Sequence, residues 1–111
     1  MADENTEKAF EAIEIAKSSG KLKKGANEVT KVIEKGKAKL VVIAEDTSPK
    51  EIIMHIPLLC EEKKIPCITV AKKEELGAAA GLPLGTSAVA VIEEGDAKKL
   101  IKELGSKPKK E

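Results

Sequence analysis

Aromatic residues are almost absent from this chain of 111 residues, which contains one Phe and neither Trp nor Tyr. RNA-binding modules that stack bases on several exposed Phe or Tyr rings are therefore excluded. Arginine is absent as well, so all 20 basic residues are Lys, and no guanidinium group can bind an anion with two parallel hydrogen bonds. The hydrophobic core must be built from Val, Ile, Leu and Ala.

Cysteine is also scarce, because Cys60 and Cys67 are the only two and cannot build a disulfide framework. No apolar run is long enough to span a membrane. The first four residues carry two acidic side chains where a secretory signal would be basic. We therefore expect a cytoplasmic protein with reduced thiols.

Charge is unevenly distributed, although the net charge of the whole chain is only +1. Residues 21–39 contain seven Lys and two Glu, a net charge of +5, whereas residues 1–20 contain two Lys and five acids, a net charge of −3. A basic block in a nearly neutral protein indicates an anionic partner that is bound at one face.

Helical patterns alternate with short apolar runs, which is typical of an α/β protein. Residues 40–44, 66–70 and 88–92 have the continuous apolar character of buried strands. Residues 21–24 form either a short edge strand or an extended lead-in to a helix. The predicted helices cover residues 5–18, 26–35, 48–60 and 72–80, and a last helix follows Gly95-Asp96 with Ala97, Leu100, Ile101 and Leu104 on one stripe.

This alternation predicts a three-layer α/β/α sandwich around a small mixed sheet. We expect residues 1–106 to form a single domain and residues 107–111 to form a disordered basic tail. In the helix over 48–60, Ser48 is the expected N-cap, Pro49 the first helical residue and Glu51 the end of a capping box. Pro57 is expected to kink that helix near its middle. Its inward stripe consists of Ile52, Ile53, Ile56, Leu59 and Cys60.

The stretch from Lys21 to Lys31 is the strongest candidate for function. Three Lys within four residues precede Gly25, and Asn27, Glu28 and Lys31 then cluster at the start of a helix. The free N–H groups of a helix start suit a phosphate, and this set of donors and acceptors could read a base edge beside it. The alternative is a solvated lysine loop, a glycine bend and an Asn-capped amphipathic helix.

A second candidate is the apolar loop formed by Leu82, Pro83 and Leu84. These residues either fold back into the core or present a small apolar contact surface. If the order of the strands brings this loop beside Asn27 and Glu28, the two segments form one site.

Evidence for catalytic or metal chemistry is weak. His55, Cys60 and Cys67 are the only soft ligands, one fewer than tetrahedral zinc requires, and buried thiols are usually inert. We expect His55 to be a hydrogen-bonded structural residue. Glu45 and Asp46 leave the end of a strand, where α/β proteins place functional groups, but no second partner is evident. No metal and no cofactor are predicted.

Several ordered blocks, at consistent separations over about residues 8–104, resemble a known family. The blocks are residues 23–31 (KKGANEVTK), 38–46 (AKLVVIAED), 55–63 (HIPLLCEEK), 65–66 (IP), 76–81 (LGAAAG) and 87–91 (SAVAV). Together they closely resemble the kink-turn-binding ribosomal protein family L-seven-Ae. The resemblance implies an α/β/α sandwich and a non-catalytic protein that binds the kink-turn, a sharply bent RNA with tandem sheared G·A pairs.

The resemblance also implies roles for individual residues. Asn27, Glu28 and Lys31 would contact the sheared guanines beside Gly25, and Lys24 would contact phosphates. The loop residues Leu82, Pro83 and Leu84 would pack against the bulged nucleotides. Ile52 and Lys73 would lie on the same surface.

Archaeal members resemble this chain in the block that ends with Glu45 and Asp46. In them, one protein serves the large ribosomal subunit, the box C/D and H/ACA guide-RNA particles and ribonuclease P, and so contributes to tRNA processing. The implied partners are kink-turn RNAs and ribonucleoprotein proteins, and the free protein is expected to be a monomer. The alternatives are a protein-interaction module of the same fold or a small enzyme without kink-turn specificity, using the strand-end acids or His55.

Overall fold

The computed structural model of the chain describes residues 4–47 and 50–106. The predicted capping residues Ser48 and Pro49 and the predicted tail over 107–111 lie outside the described residues. The α-helices and strands, in chain order, are α1 (Glu4–Ser19), β1 (Lys21–Lys24), α2 (Ala26–Glu34), β2 (Leu40–Ala44), α3 (Ile56–Lys63), β3 (Cys67–Val70), α4 (Lys73–Ala79), β4 (Ala88–Glu93) and α5 (Lys98–Ser106). Short 3-10 helices over Lys50–Ile52 and Gly95–Ala97 precede α3 and α5.

The four strands form one mixed sheet in the order β1-β4-β2-β3. Strand β4 is antiparallel to both β1 and β2, whereas β2 and β3 are parallel. Strands β1, β2 and β3 therefore run in the same direction, and the last residue of β1, Lys24, pairs with Val89 near the start of β4. The residues that follow β1, β2 and β3 and those that precede β4 consequently meet at one end of the sheet, called the loop end below.

Helices cover both faces of this sheet, which confirms the predicted α/β/α sandwich. Buried residues of α1, α4 and α5 pack with Leu40, Val42 and Val89 on one face. Buried residues of α2 and α3 pack with Val41 and Ile43 on the other. All five residues of β2 are buried because this central strand is covered on both faces, which explains its uninterrupted apolar sequence. Of the two alternatives for residues 21–24, the short edge strand is the one observed, as β1.

The prediction of a second fully buried strand was wrong for β3. Cys67 and Ile68 are only half-buried, Thr69 is exposed, and Val70 alone is buried. Strand β3 lies at the outer edge of the sheet and pairs only with β2 within the described residues, so the helical layers cover it incompletely. Its local sequence resembles that of a central strand, and only the order of the strands distinguishes the two.

The single kinked helix predicted over residues 48–60 was also wrong. A 3-10 helix over Lys50–Ile52 is followed by a turn, and α3 begins only at Ile56, so Pro57 lies in the first turn of a new helix. Proline is tolerated there because its missing N–H would have no partner within the helix. Of the predicted inward stripe, Ile53, Ile56 and Cys60 are buried, Leu59 is half-buried and Ile52 is 40% exposed.

Candidate functional site

The sequence-predicted site residues come from four separate segments, and the sheet brings all four to its loop end. Lys24 ends β1, and α2 begins at Ala26, after the single residue Gly25. Ile52 follows β2, Lys73 is the first residue of α4 after β3, and the loop over 82–84 precedes β4. Only Lys31 lies one turn further along, within α2.

Gly25 forms the sharp corner between β1 and α2. Its φ of 96° and ψ of 146° lie in a region that other residues adopt only with strain. A Cβ added here would meet no atom within 4 Å, so the surface above Gly25 is open. The Gly25 N–H donates a hydrogen bond to the carbonyl oxygen of Ala88, 2.8 Å away, which fixes the corner to the start of β4.

Helix α2 presents its polar side chains outward from this corner. Asn27, Glu28 and Lys31 are exposed, while the helix is anchored by three buried residues, Val29, Val32 and Ile33. The N-cap is Gly25, and no side chain caps the helix, so the alternative of an Asn-capped helix was wrong. Among the described residues no partner holds the Asn27 amide, which leaves its donors and acceptor available to a ligand.

The lysines around this corner are mostly unpaired. Lys21 lies 3.9 Å from Glu93, but both side chains are more than 60% exposed, so this ion pair contributes little to stability. Within residues 4–47 and 50–106, no ion pair engages Lys23, Lys24 or Lys31. The start of α2 is therefore a positively charged surface with unpaired helical N–H groups behind it.

The apolar loop reaches the same corner, which is the condition for a single site. The Thr86 hydroxyl donates a hydrogen bond of 3.3 Å to the carbonyl oxygen of Ala88. That oxygen also accepts the hydrogen bond from Gly25. The end of the loop and the beginning of α2 therefore share one acceptor and lie side by side.

The backbone of this loop is seated on α4. The Leu82 N–H donates to the Gly77 carbonyl over 2.9 Å, and the Thr86 N–H donates to the Lys73 carbonyl over 3.1 Å. A side chain at position 77 would collide with the carbonyl of Leu84, so glycine is needed for this close approach. A Cβ on Gly85 would likewise come within 2.9 Å of Lys73 Cγ.

The backbone hydrogen bonds hold the loop in place without the use of its apolar side chains, which lie largely outside the core. Leu84 is 76% exposed, Pro83 is exposed and Leu82 is half-buried. Of the two alternatives predicted for this loop, folding back into the core does not hold for Pro83 and Leu84, and their role as a contact surface stays a prediction. Gly77 and Gly85 allow the loop backbone to approach α4 closely. The sequence alone does not reveal this role.

Asp46 joins the end of β2 to the start of α4. Its Oδ1 atom accepts a hydrogen bond of 2.8 Å from the N–H of Lys73, at the start of α4. The carboxylate satisfies a free N–H group at a helix start and joins the end of β2 to α4. The signal for this role in the sequence is an acidic residue shortly after a buried strand. The partner of Asp46 lies 27 residues further along the chain, so the sequence does not reveal it.

His55 is a hydrogen-bonded residue, as predicted. Its Nε2 atom lies 2.8 Å from the hydroxyl oxygen of Thr30 on α2. This bond joins the turn before α3 to α2, and Ile52 precedes His55 by three residues on the same segment. Ile52 therefore belongs to the segment that this bond attaches to α2, and 40% of its side chain is exposed.

The described residues contain no group of three or more His, Cys, Asp and Glu side chains that could hold a metal ion. Cys60 is buried and Cys67 is half-buried. No helix in the described part of the chain is long and apolar enough to cross a membrane.

Comparison with known proteins shows to which family a chain with this geometry belongs. The structure of a 15.5kD RNA binding protein from Giardia lamblia is similar to this chain with a TM-score of 0.87 and 30% sequence identity. The similarity covers 95% of this chain and 88% of that one. The model of the ribosomal protein L7Ae/L30e/S12e/Gadd45 family matches residues 7–101. Because this match includes most of the sequence and nearly all of the sheet and its helices, the chain belongs to the L7Ae/L30e/S12e/Gadd45 family.

Proposed function

We propose that this protein binds RNA at the loop end of its sheet and recognises kink-turns with tandem sheared G·A pairs. The observation that carries the proposal is the shared acceptor at Ala88, which brings the polar start of α2 and the exposed apolar loop to one surface. Family membership and the RNA-binding structural neighbour support RNA as the ligand and point to a protein without enzymatic activity.

In this proposal, the exposed side chains of Asn27, Glu28 and Lys31 contact the sheared guanines. Glu28 would be repelled by phosphates, so its position within a basic patch is explained if its carboxylate accepts hydrogen bonds from base N–H groups. Lys24 contacts phosphate oxygens, and Gly25 lets the RNA backbone approach because it has no side chain. Single-stranded and distorted RNA is recognised through such accessible base edges.

The loop residues Leu82, Pro83 and Leu84 supply an apolar surface for the bulged nucleotides. The chain has no Trp or Tyr for base stacking, so an exposed leucine and a proline on a seated loop take this role. Lys73 and Ile52 flank the same surface, because each follows a strand that ends there.

Binding of this kind stabilises one conformation of the RNA. A kink-turn samples bent and extended forms, and a protein that binds the bent form more tightly shifts the population by the ratio of its two affinities. No chemical step is needed. His55, the candidate for an enzymatic alternative, is instead engaged with Thr30.

The cellular roles implied by the resemblance belong to the same proposal. They are binding of kink-turns in large-subunit ribosomal RNA, in box C/D and H/ACA guide RNAs and in ribonuclease P RNA. We propose a cytoplasmic protein that is a monomer when free and meets its protein partners in ribonucleoprotein particles. The archaeal origin that the resemblance in the block around Asp46 implies stays a prediction.

A gel-shift titration tests the proposal. One RNA carries a consensus kink-turn, and the second has the same length with its G·A pairs converted to Watson–Crick pairs. We expect tight binding to the first RNA and weak, strongly salt-dependent binding to the second. Equal binding to both RNAs would show general affinity for RNA without recognition of the kink.

A further inference from the structure

We propose that His55 and Thr30 are positioning residues that hold the first turn of α2 in the orientation needed for RNA binding. This inference rests on the proposed function. It concerns two side chains for which the sequence resemblance implies no role in RNA recognition. Their hydrogen bond joins segments that are 25 residues apart in the sequence.

The hydrogen bonds form a directed chain. The Thr30 hydroxyl donates to the carbonyl oxygen of Ala26 over 2.8 Å. Its single proton is used in that bond, so the contact of 2.8 Å between Thr30 Oγ1 and His55 Nε2 requires the histidine to donate. The order is thus from the His55 N–H to the Thr30 hydroxyl to the Ala26 carbonyl, and Nε2 carries the proton.

These hydrogen bonds reach α2 at two positions, Thr30 and the first residue of the helix, Ala26. The two proposed base-reading residues, Asn27 and Glu28, lie between those positions. The helix start has no side-chain cap. On one side it is held by the backbone bond from Gly25 to Ala88. On the other side, the hydrogen bond from His55 to Thr30 ties α2 to the segment before α3, in addition to the apolar packing of Val29.

Because His55 is exposed, a role in the positioning of α2 can be distinguished from a role in the stability of the fold. His55 is exposed, and its ring does not cap its own helix, α3. An exposed hydrogen bond contributes little to the folded state, because water replaces the lost partner. Ligand binding is more sensitive, since a helix start that moves more freely must be ordered when the RNA binds. Loss of the bond should therefore lower RNA affinity more clearly than it lowers the unfolding temperature.

The test is a double-mutant cycle with His55→Leu and Thr30→Val, measured as Kd for the consensus kink-turn RNA. Each single variant should weaken binding about twofold to tenfold, the range that corresponds to one hydrogen bond. The double variant should bind no more weakly than the weaker of the two single variants, because both remove the same connection. His55→Gln and Thr30→Ser, which keep a donor and a hydroxyl respectively, should restore binding.

Two controls accompany the cycle. Thr69→Val makes the same change at an exposed position on β3 and should leave the Kd unchanged. In every variant the thermal midpoint and the Kd for the RNA without G·A pairs should change much less than the Kd for the kink-turn RNA, which a general loss of folding would not allow.

Other outcomes overturn the inference. If the two single losses multiply in the double variant, His55 acts on the RNA independently of Thr30 and is not a positioning residue. If neither single variant changes the Kd while the parent binds tightly, the hydrogen-bond chain has no role in recognition. A parent protein that does not bind the kink-turn overturns the proposed function itself, and that result is visible before any variant is made.

Discussion

The N–H of Gly25 and the carbonyl oxygen of Ala88 form a hydrogen bond of 2.8 Å that joins the beginning of α2 to the beginning of β4. The Thr86 hydroxyl bonds to the same oxygen and extends the connection to the apolar loop. Two surfaces of different chemistry are thereby held side by side on a rigid sheet. A ligand with both polar edges and unstacked bases fits such a surface, and each of its parts can be tested separately.

The exposed polar residues of α2 should determine RNA affinity. Asn27→Ala and Glu28→Ala should each weaken kink-turn binding by about 1–3 kcal/mol, the range for a good contact with a base. Both residues are exposed, so the stability of the fold should change little. Isothermal titration with the kink-turn RNA measures the loss. Glu34→Ala is the matched control at the other end of the helix, and parental affinity in both test variants would refute this assignment of the site.

Lys24 should contribute to RNA binding through contact with phosphates and not through recognition of particular bases. Replacing it by alanine should reduce the slope of log K against log[salt] by about 0.7–0.9, the effect of one lost phosphate contact. Lys102→Ala removes an exposed lysine from α5 and should leave the slope unchanged. Filter-binding assays over a range of KCl concentrations measure both. An identical slope for the Lys24 variant and the parent would exclude its contact with phosphate.

Leu84 should contribute to binding and not to folding. Its side chain is 76% exposed, so Leu84→Ser should change the free energy of unfolding by no more than about 0.5 kcal/mol. Kink-turn affinity should fall because the bulged nucleotides lose an apolar surface. Leu58 on α3 is 69% exposed and provides a matched leucine away from the loop. If Leu58→Ser reduced RNA affinity as much as Leu84→Ser, the effect would not be specific to the loop.

Gly77 should be required for the seating of the loop. An alanine normally stabilises a helix relative to glycine by about 1 kcal/mol, but a Cβ at this position would collide with the Leu84 carbonyl. We therefore expect Gly77→Ala to lower the free energy of unfolding by about 1–3 kcal/mol, the usual cost of overpacking. Urea denaturation measures the change, with Ala78→Gly as the control for helix propensity. A stabilised Gly77→Ala protein would contradict the described contact.

The layers of the fold could be predicted because they depend on local patterns. The apolar run of β2 and the alternating faces of α1 and α2 each indicate their burial without knowledge of the neighbours. The edge position of β3 could not be predicted in this way, since burial of Cys67 depends on which strands lie beside it. Pro57 was misassigned because proline suits both a kink and the first turn of a helix.

The residues of the candidate site could be proposed from the sequence, but the way the fold brings them together could not. The charge and polarity of residues 24–31 were visible in the sequence, and the structure brings them to one end with the predicted loop. The exposure of Leu84 was left open, because it depends on Gly77 accommodating the loop backbone. The bonds from Lys73 to Asp46 and from His55 to Thr30 span 27 and 25 residues, distances over which local patterns carry no information.

The most direct test of the account is the end-to-end distance of a kink-turn RNA labelled with a fluorescent donor and acceptor on its two stems. It is measured during titration with the protein in buffer without divalent cations. We predict that energy transfer rises to a plateau as the kinked form accumulates, and that it stays low for the RNA whose G·A pairs are replaced. For Asn27→Ala, the midpoint of the rise should shift to a protein concentration about 5- to 150-fold higher, which corresponds to the loss of about 1–3 kcal/mol. Saturated binding of the kink-turn RNA without any rise in energy transfer would contradict the proposal that the protein stabilises the kinked state.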